Sequence, residues 1–262
     1  MGELSVRRLA ILQARVSSSR LPRKVLLPIL GKAMLLRQIE RINRSREIDR
    51  LVVATSTDSS DSEIASLCEE AGVTCFRGNL TDVLDRFVNA ARPHQPETVV
   101  RLTGDCPLID PEVIDEVISF FREGGYAYAS NIKPPTFPDG LDVEVIRFAG
   151  LEEAGREAVL PSEREHVTPF LRFRPERYKV GNVTRPVDLS HLRWTVDEPQ
   201  DLEFVRKVYE RLYPAKPDFT MHDIMRLIEQ EPAIEAINAR SSRKEALEKA
   251  MKADAEFLAR RQ

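Results

Sequence analysis

The sequence predicts an α/β protein built on a mainly parallel, Rossmann-like sheet with helices on both faces. Three observations lead there. Short, wholly apolar runs alternate with helical patterns through the first half of the chain, as expected of strands buried on both faces and joined by helical crossovers. Residues that cap or stop helices, such as Asp110-Pro111 and Gly72, punctuate those patterns. With 262 residues, 42% apolar and 31% charged, the chain is long enough to bury a sizeable core without staples.

The elements follow in order. Leu9-Ala10-Ile11-Leu12 is a buried strand, and Met34–Ile42 sets Leu35, Ile39 and Ile42 on one helical face. Residues 51–54 form a second buried strand, and a helix over 61–71 ends at Gly72. Cys75-Phe76 is a short third strand, 81–91 a helix capped by Thr81, and 98–102 a fourth strand. Asp110 as N-cap and Pro111 at the first helical position open the next helix. The second half changes character: strands at 126–130 and 141–146 flank a Pro-rich loop, which predicts an antiparallel excursion. Ser162-Glu163-Arg164-Glu165 fits a capping box. A strand over 191–196 and helices over 199–213 and 220–229 complete an α/β domain over residues 1–235. Residues 236–262, helical and charged, form a C-terminal appendage. Trp194 is expected in the core.

Charge and cysteine content narrow the function. The net charge is −3, yet residues 1–50 hold 12 Lys and Arg against 4 Asp and Glu, a local +8 that leaves −11 on the remainder. A basic segment on an acidic protein suits a local anion site better than a nucleic-acid surface, so no nucleic-acid partner is expected. Three cysteines without metal-type spacing suit free thiols in a reducing cytoplasm. No apolar run approaches a membrane span or a signal peptide, and a cytoplasmic location is expected.

The most informative stretch is Gln13-Ala14-Arg15-Val16-Ser17-Ser18-Ser19-Arg20-Leu21-Pro22-Arg23-Lys24. It follows the first strand, where the ligand crevice of an open α/β sheet opens. The small serines let backbone N–H groups approach an anion, and Arg15, Arg20, Arg23 and Lys24 supply cations suited to a polyphosphate. The alternative is a solvated basic loop. Neither a P-loop nor a Gly-x-Gly-x-x-Gly fingerprint is present.

This stretch resembles the Ala-Arg-x-x-Ser-x-Arg-Leu-Pro-x-Lys motif of cytidylyltransferases that activate acidic sugars. That group includes the 3-deoxy-manno-octulosonate and acylneuraminate enzymes, and the spore-coat polysaccharide SpsF-type branch is the best match. Five further segments keep the family's order. They are residues 78–87 with Asp82-Val83-Leu84-Asp85-Arg86, 99–111 with Thr103-Gly104-Asp105-Cys106-Pro107, 137–145 with Pro138-Asp139-Gly140-Leu141-Asp142-Val143-Glu144, 161–169 with Ser162-Glu163-Arg164-Glu165-His166, and 193–202 with Trp194-Thr195-Val196-Asp197-Glu198-Pro199-Gln200-Asp201. The branch often carries Gly where Ser17 and Arg23 stand, which strains the fit if the loop needs a positive φ there.

The resemblance implies a GT-A-like nucleotide-diphospho-sugar transferase fold and a Mg²⁺-dependent transfer of CMP from CTP to an acidic sugar or sugar-like acceptor. Pyrophosphate is the expected product. It carries a metal role onto Asp105 and Asp197; the alternative for each is a helix cap or a surface turn, a serious one for Asp197 just before Pro199. Arg15, Arg20 and Lys24 are expected to hold phosphates with Asp105 beside them. Ala14, Ser19, Thr55, Ser56, Asp82 and Arg86 are candidates for the nucleotide, although Asp82 is equally well explained as a first-turn acid complementing a helix dipole. Asn131, Asp139, Asp142, Glu144 and His166 are expected around the acceptor. Three carboxylates there call for an offset from Arg164, His166 or a second metal, or for an acceptor bearing polyol or amine groups. Related enzymes imply a homodimer through an arm like 126–146. A GT-A glycosyltransferase is the competing class, but its usual Asp-x-Asp is absent. A nucleotidyltransferase for another NTP or a phosphonate acceptor, and a non-catalytic nucleotide sensor, are the remaining readings.

Overall fold

The computed structural model describes residues 6–239 and 254–259. A seven-stranded sheet runs through its centre. The strands are β1 (Arg8–Gln13), β4 (Arg50–Ser56), β5 (Cys75–Gly78), β6 (Thr98–Thr103), β7 (Tyr128–Ser130), β8 (Glu144–Arg147) and β9 (Val180–Asn182), while β2 (Pro28–Ile29) and β3 (Lys32–Ala33) form a separate small hairpin. The order is β5-β4-β1-β6-β8-β7-β9. The first four run parallel, β8 is antiparallel to both β6 and β7, and β9 is parallel to β7. The sheet is thus mostly parallel with one antiparallel strand, as the alternating sequence pattern predicts.

The helices are α1 (Met34–Ile42), α2 (Ser62–Glu70), α3 (Val83–Ala91), α4 (Pro111–Gly124), α5 (Phe148–Glu157), α6 (Pro161–His166), α7 (Pro169–Arg172), α8 (Pro199–Leu212), α9 (Met221–Gln230) and α10 (Pro232–Glu235). They cover both faces, because successive side chains of a strand point to opposite sides. In β1, Ala10 and Leu12 join a core with Leu35 and Ile39 of α1, Ile114 and Val117 of α4, and Val205 and Val208 of α8. Leu9 and Ile11 face the other way, toward Leu84 and Phe87 of α3, Leu151 of α5 and Phe170 of α7. Trp194 is buried in the first of these cores, as expected.

Several elements differ from expectation. The N-cap of α3 is Asp82, not Thr81: the Asp82 carboxylate accepts the backbone N–H of Asp85 at 2.9 Å. At α6 the capping group is the Glu163 carboxylate, which accepts the N–H groups of Val159 and Leu160, whereas Ser162 donates its hydroxyl to Asp254. Residues 191–196 form no strand and make only an isolated bridge, Asp139 to Arg193. The excursion over 126–146 is no projecting arm. It supplies β7 and β8 to the sheet interior, where Ala129 and Val145 are fully buried. Both α5 and β9 escape the sequence pattern. Of the C-terminal appendage, a helical turn at 254–259 is described, and the remainder of 240–262 lies outside the described residues. No helix among the described residues is long and apolar enough to cross a membrane.

Candidate active site

A crevice of about 370 Å³ opens at the carboxyl ends of β1 and β6, where the strand order places the loop after β1 beside Gly104-Asp105. The loop residues Ala14, Arg15, Ser17, Ser18, Ser19, Arg20 and Lys24 line it, with Gln13, Arg86, Thr103, Asp105 and Glu165 completing the wall. Gly104 is required by the close approach of the neighbouring strand, not by a ligand: a Cβ there would stand 2.9 Å from the Gln13 carbonyl oxygen, which the Gly104 N–H already meets at 2.8 Å.

The loop is pinned from beneath. Asp61, fully buried, accepts the backbone N–H of Val16 at 2.7 Å and both the N–H and the hydroxyl of Ser56. Ser56 and Thr55 are themselves fully buried, so the structure does not bring either to the crevice. Arg23 also turns away. It takes a left-handed backbone conformation with φ 60° and forks onto Glu63 at 2.5 and 2.6 Å. The family glycine therefore corresponds to a real positive φ at Arg23, while Ser17 has none.

Lys24, on the crevice wall, joins residues far apart in sequence. Lys24 Nζ donates to the Val196 carbonyl at 2.7 Å and to Asp197 Oδ1 at 2.9 Å, and lies 3.6 Å from Asp105 Oδ2. Its side chain is only 12% exposed, against 31% for Asp105 and 20% for Asp197. Burial alone would lower the Lys24 pKa, but attraction to Asp105 and Asp197 overcomes this and raises it. Asp105 shows the mirror effect: burial opposes ionisation, yet Lys24 holds its carboxyl below the usual range.

Asp197 is not the helix cap. Asp201 closes the first turn of α8 by accepting the N–H groups of Asp197 and Glu198 at 2.9 Å, which leaves the Asp197 carboxylate facing cations. Its Oδ2 meets Arg20 and Arg193, each at 3.0 Å. Arg193 is buried among Asp139, Asp197 and Asp201 and fixes this corner. Arg193 opens a segment that resembles the family, but the resemblance gives it no role; Asp197 and Asp201 follow it in that segment, while Asp139 comes from a remote one.

Arg86 is fully buried, with Nη1 on the Asn79 carbonyl and with Nε and Nη2 lacking hydrogen-bond partners. Burial first, and the neighbouring Arg15 second, pull its pKa down to about 10. Gln13 Oε1 is likewise buried without a partner. Unmet guanidinium donors beside a second arginine suit a wall that receives an anion.

The acceptor candidates separate into two groups. Asp139 and Asp142 lie near Asp105, since all three push the buried Cys106 thiol upward after desolvation itself. Asn131 and Glu144, by contrast, are structural. Buried Asn131 bridges the Leu141 carbonyl and the Val143 N–H, and buried Glu144 accepts from Arg101, Tyr128 and Thr168. His166 is half-buried and its pKa is lowered, by burial first, with Arg101 and Arg172 adding to the effect. Asp82 is spent on its helix cap and on Arg164, which leaves neither facing the crevice.

Two carboxylates that share one cation position form a hard oxygen donor set of the kind Mg²⁺ accepts with phosphate oxygens and water. The Lys24 ammonium stands at that position. Among the described residues no group of three or more His, Cys, Asp or Glu side chains is placed to hold a metal ion unaided. The donor set therefore fits a cation whose remaining ligands come from the substrate.

A family profile described as cytidylyltransferase matches residues 9–247. The chain belongs to the cytidylyltransferase family. Such a chain is a nucleotidyltransferase enzyme. It is 32% identical over 231 residues to the spore coat polysaccharide biosynthesis protein SpsF of Bacillus subtilis, covering 86% of this chain and 95% of the relative. It is also 40% identical over 127 residues to the 3-deoxy-manno-octulosonate cytidylyltransferase of an Anaeromyxobacter species, a match to 47% of this chain and 50% of that one. Among solved structures, a cytidylyltransferase from Leptospira borgpetersenii superposes with TM-score 0.82 at 28% identity, covering 93% of this chain and all of that one. The CTP complex of a CMP:2-keto-3-deoxy-manno-octonic acid synthetase shares the fold, with TM-score 0.61 at 18% identity over 78% of this chain and 99% of that one.

Proposed function

We propose that this cytidylyltransferase transfers CMP from CTP to an acidic sugar or sugar-like acceptor, releases pyrophosphate, requires Mg²⁺ and serves surface polysaccharide or glycan biosynthesis in the cytoplasm. The observation that carries the reading is the crevice lined by Arg15, Arg20, Lys24, Asp105 and the serine loop, in which Lys24 joins Asp105 to Asp197. In this reading an acceptor hydroxyl oxygen bonds to the α-phosphorus of CTP and gives its proton to solvent, as the bond from that phosphorus to the oxygen bridging the β-phosphate breaks and pyrophosphate leaves. Arg15, Arg20 and Lys24 hold the β- and γ-phosphates and offset the charge gathering on the leaving pyrophosphate. Ala14, Ser19 and Arg86 complete the nucleotide wall. Asp105 and Asp197 would hold Mg²⁺, which when bound supplies charge neutralisation at the phosphate oxygens.

Arg164 is paired with Asp82, and Asp139 meets Arg193 at 3.4 Å, so these acids do not by themselves select the acceptor class. Pyrophosphate release from each of four NTPs, tested with nonulosonic acids, octulosonates, aminated or polyol sugars and phosphonates in the presence of Mg²⁺, decides both the nucleotide and the acceptor. Turnover of CTP with a sugar acceptor supports the reading; turnover with no NTP removes it. The family resemblance is what supports a homodimer, and sedimentation of the full chain tests it.

A further inference from the structure

Three cations crowd the carboxylate that the preceding reading gives to the metal. Asp197 Oδ1 receives Lys24 Nζ at 2.9 Å, and Oδ2 receives Arg20 and Arg193, each at 3.0 Å. The same Lys24 ammonium lies 3.6 Å from Asp105 Oδ2 and is tethered by the Val196 carbonyl at 2.7 Å. A divalent cation joining Asp105 and Asp197 must take the place of that ammonium. It must also approach two guanidiniums, a meeting of like charges that costs most at the buried Arg193.

We infer that Lys24 is an internal cation that keeps the metal position closed until a triphosphate draws it away. The inference rests on the proposed cytidylyl transfer, because it takes the triphosphate to be the group that competes for Lys24. The competition is built into the crevice. Lys24 and Arg20 both line it, alongside Ser17, Ser18, Ser19 and Arg15, so phosphate oxygens bound there offer these two side chains stronger, doubly charged partners. Once Lys24 and Arg20 turn to the phosphates, Asp197 keeps only Arg193, and Asp105 loses its ammonium. The same phosphates then supply the further oxygens that Mg²⁺ needs. Arg193, anchored on buried Asp201 at 3.0 Å, stays behind and holds the Asp197 carboxylate in place. Nucleotide and metal thus bind with positive coupling, and the coupling passes through one side chain.

The test is binding of Mn²⁺ to the full chain by equilibrium dialysis, with and without CTP and corrected for the Mn²⁺–CTP complex in solution. The wild type is expected to bind Mn²⁺ alone at least tenfold more weakly than Lys24→Met, and Asp197→Asn in the Lys24→Met background should abolish the gain. CTP should strengthen Mn²⁺ binding to the wild type at least tenfold and to Lys24→Met much less. Lys24→Gln serves as a second variant, and circular dichroism with thermal unfolding establishes that each is folded. Equal Mn²⁺ affinity in wild type and folded Lys24 variants, with pyrophosphate still released from CTP by the wild type, overturns the inference and leaves the proposed function standing. A wild type that neither binds Mn²⁺ with CTP nor releases pyrophosphate overturns both.

Discussion

The carboxylate of Asp61 receives the backbone N–H of Val16 at 2.7 Å, tying the first turn after β4 to the loop that lines the crevice. Asp61 is fully buried and also accepts both donors of Ser56. Asp61→Ala would strand three buried donors at once, and we expect a loss of about 3 kcal/mol in unfolding free energy. Urea denaturation checks this, with calorimetric CTP titration at a temperature where the variant is folded. An unchanged unfolding midpoint would show that the pin does not hold the loop.

Arg15 and Arg86 repel one another across the nucleotide wall, and Arg86 already has its pKa pulled down by burial and by this neighbour. An anion between them removes that repulsion. Arg15→Met should therefore leave folding stability unchanged or slightly raised, while weakening CTP binding roughly tenfold, about 1.4 kcal/mol. A paired calorimetric and thermal-unfolding series reads both quantities. A variant that loses stability without losing CTP affinity contradicts an anion-binding role.

Acid stability has a local marker at the start of α9. Asp223 accepts from Lys216, from the N–H and hydroxyl of Thr220 and from Arg226. Burial opposes its ionisation, but these partners hold its pKa well below the carboxylate range. The unfolded chain binds this proton more readily, so the stabilisation is complete above about pH 4 and fades as pH falls below it. Asp223→Asn should cost about 1 kcal/mol at pH 7 and flatten this part of the acid-unfolding curve.

His166 works on a different window. Its pKa is lowered, so the unfolded chain takes up the proton first. Stability is full above about pH 6.5 and declines as pH drops from there toward the folded value. His166→Gln should remove that portion of the decline. An NMR titration of the His166 imidazole that returns an ordinary or raised pKa would contradict it.

Much of this architecture was legible in the sequence because local signals and tertiary packing agree there. The apolar runs of β1, β4 and β6, Asp110-Pro111 at α4 and the loop through Lys24 each carry their meaning within a few residues. What was not legible depends on partners remote in the chain. Thr81 and Asp82 are both acceptable caps, and only the ion pair with Arg164 selects Asp82. Residues 191–196 have strand composition, yet Arg193 is held by Asp139 and by Asp201 in the first turn of α8, and the segment makes one isolated bridge, to Asp139. Arg23 reads like its basic neighbours until Glu63 of α2 claims it. Asp61 reads only as the start of a helix and Arg193 only as the head of a family-like segment, since the buried contacts by which each fixes the crevice, to Val16 and to Asp139, reach across the chain. Asn131 and Glu144 lie in the excursion that the family resemblance carries to the acceptor, but here their polar atoms close hydrogen bonds within the fold.

A cytidylyl transfer centred on Lys24, Asp105 and Asp197 is tested by following the label of CTP itself. CTP labelled at the α-phosphate is incubated with Mg²⁺ and the acceptor panel, and label transferred to acceptor is counted against pyrophosphate released, for wild type and Asp105→Asn. One labelled CMP conjugate per pyrophosphate is expected for the wild type, and a fall of at least 100-fold, about 2.7 kcal/mol, for a folded Asp105→Asn. Asp105→Asn turning over at the wild-type rate in saturating Mg²⁺, or a wild type that transfers no label from CTP to any acceptor, would contradict it.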